Sequence, residues 1–387
     1  MALAEASESV SEKPSRYAVS KLTLQSFRNY DFASLDVGQD SVVLTGHNGA
    51  GKTNILEALS LLIPGRGIRS ATVGELDNVK LSMPWVVSAD VTSGEDELHI
   101  GTGRDASAPT EKRLVKIDGD ALSSQNHLAR YMSVVWLTPQ MDSLFRDSAG
   151  MRRRFIDRLA YSFDAEHASH VNAYERTMRE RNKLLSQHGF DARWANVLEQ
   201  QLAGYGVAIA MGRNQLIARL NHMIDAGEHP FPKAELALQG EVEAELAGGL
   251  SASEAEEHYA AKLSAGRRED SYAGRTLYGV HKSDLQTIHR DKQMEASLCS
   301  TGEQKAMLLS IVLAHAHARA EWEGCAPIIL LDEVVAHLDS ARREALFDAL
   351  DALGVQVWMT GTDAADFSAI KSGVRQVDVQ EGRLITL

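Results

Sequence analysis

Residues Gly46–Thr53 read GHNGAGKT, and this stretch decides how the rest of the chain is read. Its spacing, G-x-x-x-x-G-K-[ST], is that of a phosphate-binding P-loop. Ser41–Thr45 (SVVLT) before it is a short β-branched apolar run suited to a buried strand. Asn54–Ile63 (NILEALSLLI) after it spaces its apolar residues for a helix. Strand, glycine loop and helix thus stand in the order the motif requires. Gly46, Gly49 and Gly51 permit positive φ and let backbone N–H groups approach phosphates. Lys52 is expected to reach the β- and γ-phosphates, and the Thr53 hydroxyl to hold Mg²⁺. His47, Asn48, Ala50 and Asn54 complete the stretch expected around the triphosphate of a nucleotide.

A second acidic element fits the same chemistry. Ile328–Glu333 (IILLDE) is an apolar strand ending in two carboxylates, which places them at the sheet edge where ligands of α/β folds bind. Asp332 suits Mg²⁺. Glu333 can polarise an attacking water, a role contributing ~10²–10⁴-fold in rate. Ser300–Lys305 (STGEQK) opens an apolar helical run. By residue type it is either an anion-binding helix start, using Gly302 and a hydroxyl, or a plain N-cap.

The bulk properties exclude several classes. With 387 residues, 44% hydrophobic and 24% charged, the chain reads as a globular protein of more than one domain. Cys299 and Cys325 lack metal-site spacing and read as reduced thiols of a cytoplasmic protein. The first fifteen residues are polar and read as a loose tail rather than a signal peptide, and no run is long enough to span a membrane. A net charge of −13 gives nucleic-acid binding no support by itself, although a local basic stripe suffices for it.

Strand-like stretches occupy Tyr17–Leu24, Asp31–Val37, Trp85–Val91, Glu97–Gly101, Leu114–Asp120 and Ser133–Leu137. From Ser148 to about Ala265 the texture becomes helical, without a sustained heptad. Strand character returns at Thr276–His281, Pro327–Leu331 and Val355–Met359, with a helix expected over Ser340–Leu353 and a hairpin around Glu381-Gly382. The expected organisation is a tail (1–15), an α/β nucleotide-binding part built from 16–148 and 266–387, which the resemblance below makes an ABC-ATPase head, and a helical insertion (149–265).

Together these motifs resemble the ABC-type ATPases and, within them, the RecF family of recombination-repair proteins. The match is carried by Ser26–Tyr30 (SFRNY), the P-loop with Asn54, Gly67–Ser70 (GIRS), Arg152–Asp157 (RRRFID), Tyr174 with Arg181-Asn182, Ser300–Lys305, Asp332-Glu333 and Leu338-Asp339. These run in family order over most of the chain. The resemblance implies that Ser300, Gly302 and Gln304 belong to a signature motif meeting the γ-phosphate held by another subunit. Asp339 would be the D-loop aspartate, Arg28 and Asn29 would approach the nucleotide, and Gln140 would be the Q-loop glutamine. ABC ATPases usually carry a switch histidine after the last core strand. Met359–Thr362 (MTGT) stands here, so Thr360 or Thr362 substitutes or the role is absent.

The resemblance further implies ATP-dependent homodimerisation on double-stranded DNA and at single/double-strand junctions. It also implies weak, DNA-stimulated ATPase activity and recombinase loading at gaps with mediators of the RecO/RecR type. Arg66, Arg69, Arg152 and Arg153, with Arg154 and Arg158, are the basic candidates for tracking phosphates. Three alternatives are an SMC-like head, disfavoured by the missing heptads; a transporter ATPase subunit, where a switch histidine is expected; and a regulatory protein without turnover, disfavoured by Glu333.

Overall fold

The structure is a computed structural model that describes residues 15–81, 83–94, 96–107, 111–227, 231–335, 338–370 and 373–387. The first fourteen residues of the expected tail and Pro230 lie outside the described residues.

The P-loop strand Ser41–Thr45 lies inside a six-stranded sheet. Val374–Gln380 and Val357–Thr360 flank it, both parallel to it. Ile328–Leu331 and then the edge strand Val134–Leu137 continue the sheet, again parallel. On the other side Arg383–Thr386 closes it antiparallel, through a turn in which Glu381 (φ 44°) and Gly382 (φ 82°) are both left-handed, as a two-residue hairpin of matching twist requires. The strands 134–137, 328–331 and 357–360 are buried at every residue, which explains their unbroken apolar sequence.

Strand alternation divides this sheet between two cores. Val42, Leu44, Ile328, Leu330 and Trp358 face the P-loop helix Lys52–Ser60 and a second sheet. That sheet is antiparallel and runs through Ser15–Phe27, Val86–Ser93, Asp96–Arg104 and Arg113–Ile117, with Tyr30–Asp36 pairing the first strand. Val43, Ile329, Leu331, Val357 and Met359 face the opposite way, onto the helix Thr301–Glu323 and its neighbours.

Helices Ala149–Ala160, His167–Leu185, Ala192–Ala226, Glu241–Ala247, Ala252–Ala265 and Arg267–Ala273 occupy the middle of the chain. The third has 35 residues and spans about 52 Å. Buried charge fastens this region: Arg181 meets Glu199 at 3.0 Å and Asp270 at 2.7 Å, and Arg213 meets Asp157 at 2.8 Å.

Two expectations need correction here. Thr276–His281 is not a strand; the pairing strand is Asp284–His289. Gly279 (φ 132°) turns the chain where an added Cβ would collide with the Tyr259 and Tyr174 hydroxyls. The partner of 284–289 is Ala234–Gln239, a strand inside the stretch read as helical. Its alternation of Ala234, Leu236 and Leu238 is too short to stand out among Ala- and Leu-rich helices.

Candidate nucleotide site

The loop conformation depends on two glycines. An added Cβ at Gly46 (φ 137°) would lie 2.4 Å from the Val379 carbonyl oxygen, and one at Gly51 (φ 117°) 2.5 Å from Asn29 Nδ2. His47, Asn48 and Gly49 form the exposed crest, while Ala50 is buried beneath it. Lys52 opens the helix, and its ammonium donates to the carbonyls of Gly46 (2.7 Å) and His47 (3.0 Å). Burial lowers its pKa, and the Glu333 and Asp332 carboxylates oppose that shift.

Two threonines orient the acidic strand end. Thr53 Oγ1 donates to Asp332 Oδ1 at 2.9 Å, joining the P-loop helix to the Ile328–Leu331 strand. Thr360 Oγ1 donates to the same oxygen at 2.8 Å and accepts the Glu333 N–H at 2.9 Å. It can do both because Val357–Thr360 lies between the P-loop strand and the acidic strand. Glu333 has a φ of 52°, a left-handed conformation costing a non-glycine residue on the order of 1 kcal/mol. Its bond to Thr360 helps hold it there. A hydroxyl and a carboxylate 2.9 Å apart are hard oxygen donors that fit Mg²⁺, which takes few protein ligands and completes its shell with phosphates and water.

Behind the loop a polar brace fixes its position. Asn29 Nδ2 donates to the Ala50 carbonyl at 3.0 Å, Asn54 Nδ2 to Asn29 Oδ1 at 2.7 Å, and the Tyr30 hydroxyl to the Gly51 carbonyl at 3.0 Å. Arg28 grips both oxygens of the fully buried Glu57, at 2.8 and 2.6 Å. Arg69 meets the same carboxylate at 2.9 Å and also Asn54. Arg28 therefore braces the P-loop helix through its guanidinium, rather than pointing that group at the loop crest. Sequence reasoning missed Glu57 and Tyr30. The available signal was an acid on the apolar face of NILEALSLLI, which a buried position permits only with a cationic partner.

The remaining motif residues gather farther along the sheet edge. Ser300 caps the helix Thr301–Glu323 in a reciprocal capping box with Glu303. Lys292 and Ser300 hold the Glu303 carboxyl down at about 2. Gln304 is buried, and its amide donates to the Cys299 carbonyl at 2.8 Å. Lys305 meets Asp142 at 3.4 Å, tying this helix to the turn Pro139–Ser143, where Gln140 is exposed. Asp339 caps Ser340–Leu353 by accepting the Arg342 N–H at 2.9 Å, and an added Cβ at Gly302 would lie 3.6 Å from Arg342 Nη1. The starts of these two helices are thus neighbours. The Thr301–Glu323 helix packs on the edge strand Val134–Leu137. That strand stands three strand spacings, about 14 Å, from the P-loop strand.

Most of the basic candidates are engaged within the chain. Arg152 forks onto the Asp284 carboxylate, with both bonds at 2.7 Å, and also donates to the Asp147 carbonyl at 2.5 Å. Arg153 donates to the Ser283 carbonyl at 2.6 Å, and burial lowers its pKa. Arg158 lies over the Trp136 ring at 4.2 Å and is pushed down to about 9 by burial. These three brace the first helix of the middle region within the chain. Arg66 is exposed and has no side-chain partner among the described residues, and Arg154 is exposed with only a weak contact to Met151.

A parallel sheet covered on both faces, a P-loop and an Asp-Glu strand end separated by one strand define an ABC-type ATPase head. The family model described as RecF/RecN/SMC N terminal domain matches residues 18–383. A protein of Allorhizobium ampelinum named DNA replication and repair protein RecF is 44% identical, over 95% of this chain and 98% of its own. A protein of the same name from Rhizobium leguminosarum bv. trifolii is 44% identical, over 96% and 99%. The chain belongs to the RecF family. Among solved structures, the recombination mediator protein RecF with ATPrS superposes with a TM-score of 0.85 at 22% identity, covering 97% of this chain and 99% of that one. An SMC head bound to the C-winged helix domain of ScpA gives 0.52 at 16% identity, covering 96% and 97%. No described helix is long and apolar enough to cross a membrane, and both cysteines are free and buried.

Proposed function

We propose that this chain is an ATP-dependent DNA-binding protein of recombinational repair and replication-gap processing, working in the cytoplasm as an ATP-driven dimer on double-stranded DNA. The observation that carries the reading is the junction of Thr53, Asp332, Thr360 and Glu333, which joins a phosphate loop to the Asp332 carboxylate and, through its backbone N–H, to Glu333. In this reading backbone N–H groups of 46–53 and the Lys52 ammonium bind the phosphates. Thr53 and Asp332 would hold Mg²⁺, which would supply charge neutralisation beside the phosphates. Glu333 accepts a proton from the attacking water, and its backbone is held in the left-handed region by the bond from its N–H to Thr360 Oγ1. Turnover is weak and DNA-stimulated, in keeping with a threonine where a switch histidine would stand.

The separation of about 14 Å between the P-loop strand and the strand under the signature helix favours closure by a second copy. Ser300, Gly302 and Asp339 then face the partner's nucleotide, with the buried Gln304 holding the Cys299 carbonyl behind them, and two chains make two sites about a two-fold axis. Relatives bear the name DNA replication and repair protein, and a solved relative is described as a mediator in the RecFOR pathway. By that kinship we assign gap junctions as targets and RecO/RecR-type mediators as partners in recombinase loading. The test is a binding titration on duplex, gapped and single-stranded DNA with and without ATP. ATP-dependent duplex affinity that falls steeply with salt is expected. Affinity indifferent to ATP or to salt overturns the reading.

A further inference from the structure

The C-terminal end of the P-loop helix opens into a polar cavity of about 520 Å³, on the far side of that helix from Lys52. The helix has nine residues, so the two ends lie about 13 Å apart. Arg66, Lys112 and Arg113 line the cavity with Thr72 and Ser123, against the single carboxylate of Glu111. That carboxylate accepts the Gly74 N–H at 3.2 Å. Arg113 is committed to the fold: it donates to the Gly65 carbonyl at 2.8 Å, Thr102 Oγ1 at 2.8 Å and Gln125 Oε1 at 3.0 Å, and to the Leu61 carbonyl. Arg66 and Lys112 are different. Both are exposed, and neither side chain has a partner among the described residues.

Two free cations and two hydroxyls thus face one carboxylate in this cavity. Arg28, Arg69, Arg152 and Arg153, by contrast, are taken by internal partners. The cavity lining carries no aromatic side chain, so a base has nothing to stack on there. The chemistry offered is that of a phosphate backbone without base readout. The loop forming one wall also reaches the nucleotide loop. Arg113 holds Gly65, while Arg69 from the same loop bonds Asn54, which bonds Asn29, which bonds the Ala50 carbonyl.

We propose that this cavity is a docking site for the phosphodiester backbone of duplex DNA, with Arg66 and Lys112 as its ligands, connected to the P-loop through the 61–70 loop. The assignment rests on the DNA-binding reading above. The experiment compares the full-length parent with Arg66→Ala/Lys112→Ala and with Ser123→Glu, which adds a carboxylate to the cavity without removing a cation. Binding of a fluorescent duplex is measured with ATP across a salt series. Two lost phosphate contacts should lower the magnitude of the log K against log salt slope by about 2 and weaken binding roughly 10- to 100-fold. Ser123→Glu should weaken it about tenfold, and ATP binding and DNA-free hydrolysis should match the parent in both. A parent that binds duplex beside variants of equal affinity and slope overturns this site and leaves the DNA reading intact. A parent without ATP-dependent duplex binding overturns both.

Discussion

Replacing Thr360 by valine keeps the shape of the side chain and removes one hydroxyl, at the point where the acidic strand end is organised. Thr360 is completely buried, so water cannot substitute. The hydroxyl makes a 2.8 Å bond to the Asp332 carboxylate, and hydrogen bonds to charged groups contribute about 1.5–3 kcal/mol. It also satisfies the half-buried Glu333 N–H at 2.9 Å, and an orphaned donor costs about 1–3 kcal/mol where water cannot reach it. The two effects share one group and do not add fully, so a loss of about 3 kcal/mol in unfolding free energy is expected. The functional effect follows from orientation. Asp332 keeps only Thr53, and Glu333 loses the bond that helps hold its left-handed backbone. Losing a group that orients a metal-binding carboxylate typically costs 10- to 100-fold, and phosphate-release kinetics should show a fall in kcat of about that size with a raised Mg²⁺ requirement. Thr360→Ser should hydrolyse ATP within a few-fold of the parent, because it restores the hydroxyl. Hydrolysis by Thr360→Val within about twofold of the parent, at unchanged Mg²⁺ dependence, would refute the reasoning.

Glu333→Gln should retain ATP binding in a fluorescent-nucleotide titration while hydrolysis falls by ~10²–10⁴, since the amide is a poor base of the same shape. Lys52→Ala should instead weaken binding itself, seen as a raised Kd. A pH effect should come from His315 on the signature helix. Its Nε2 lies 3.1 Å from the Leu159 carbonyl and 2.7 Å from the Ser162 hydroxyl, so Nε2 carries the proton and the buried Nδ1 has no partner. Burial pushes its pKa down to about 4, against about 6.5 in an unfolded chain. Between these values the unfolded chain binds the extra proton, so stability should fall as pH drops from about 6.5 to about 4, by up to about 3 kcal/mol. Below that window this group adds no further slope. Urea titrations should show the trend, and His315→Met should flatten it.

Sequence made the site legible wherever the chemistry is local. The P-loop strand occupies Ser41–Thr45 and the late helix Ser340–Leu353, as their own patterns predict. Both bear their signals within themselves: a glycine loop between strand and helix, and an Asp N-cap with Gly354 at the far end. What sequence did not reveal is pairing at a distance. Arg152 takes its carboxylate partner not from Asp147 or Asp157, near it in the chain, but from Asp284, because the first middle helix packs on the Asp284–His289 strand. Arg28 and Arg69 converge on Glu57 for the same kind of reason. Thr360 was one of two threonines that could stand near a switch position. Only the order of strands, with 357–360 between the P-loop strand and the acidic strand, decides that it clamps Asp332.

The central claim is that one chain's P-loop works with another chain's signature, and a mixed-variant ATPase assay tests it most directly. Lys52→Ala damages only the P-loop side, and Ser300→Arg only the signature side. Each variant alone has both composite sites broken and should be inactive. In a mixed dimer both lesions fall in one site, and the other pairs an intact Lys52 with an intact Ser300. Equal mixing with random pairing makes about half the dimers mixed, so roughly a quarter of parent activity should return when sites turn over independently. Recovery above the sum of the separate variants is the predicted result. Activity no greater than that sum, with mixed dimers shown to form and ATP in excess, would contradict a site shared between two chains.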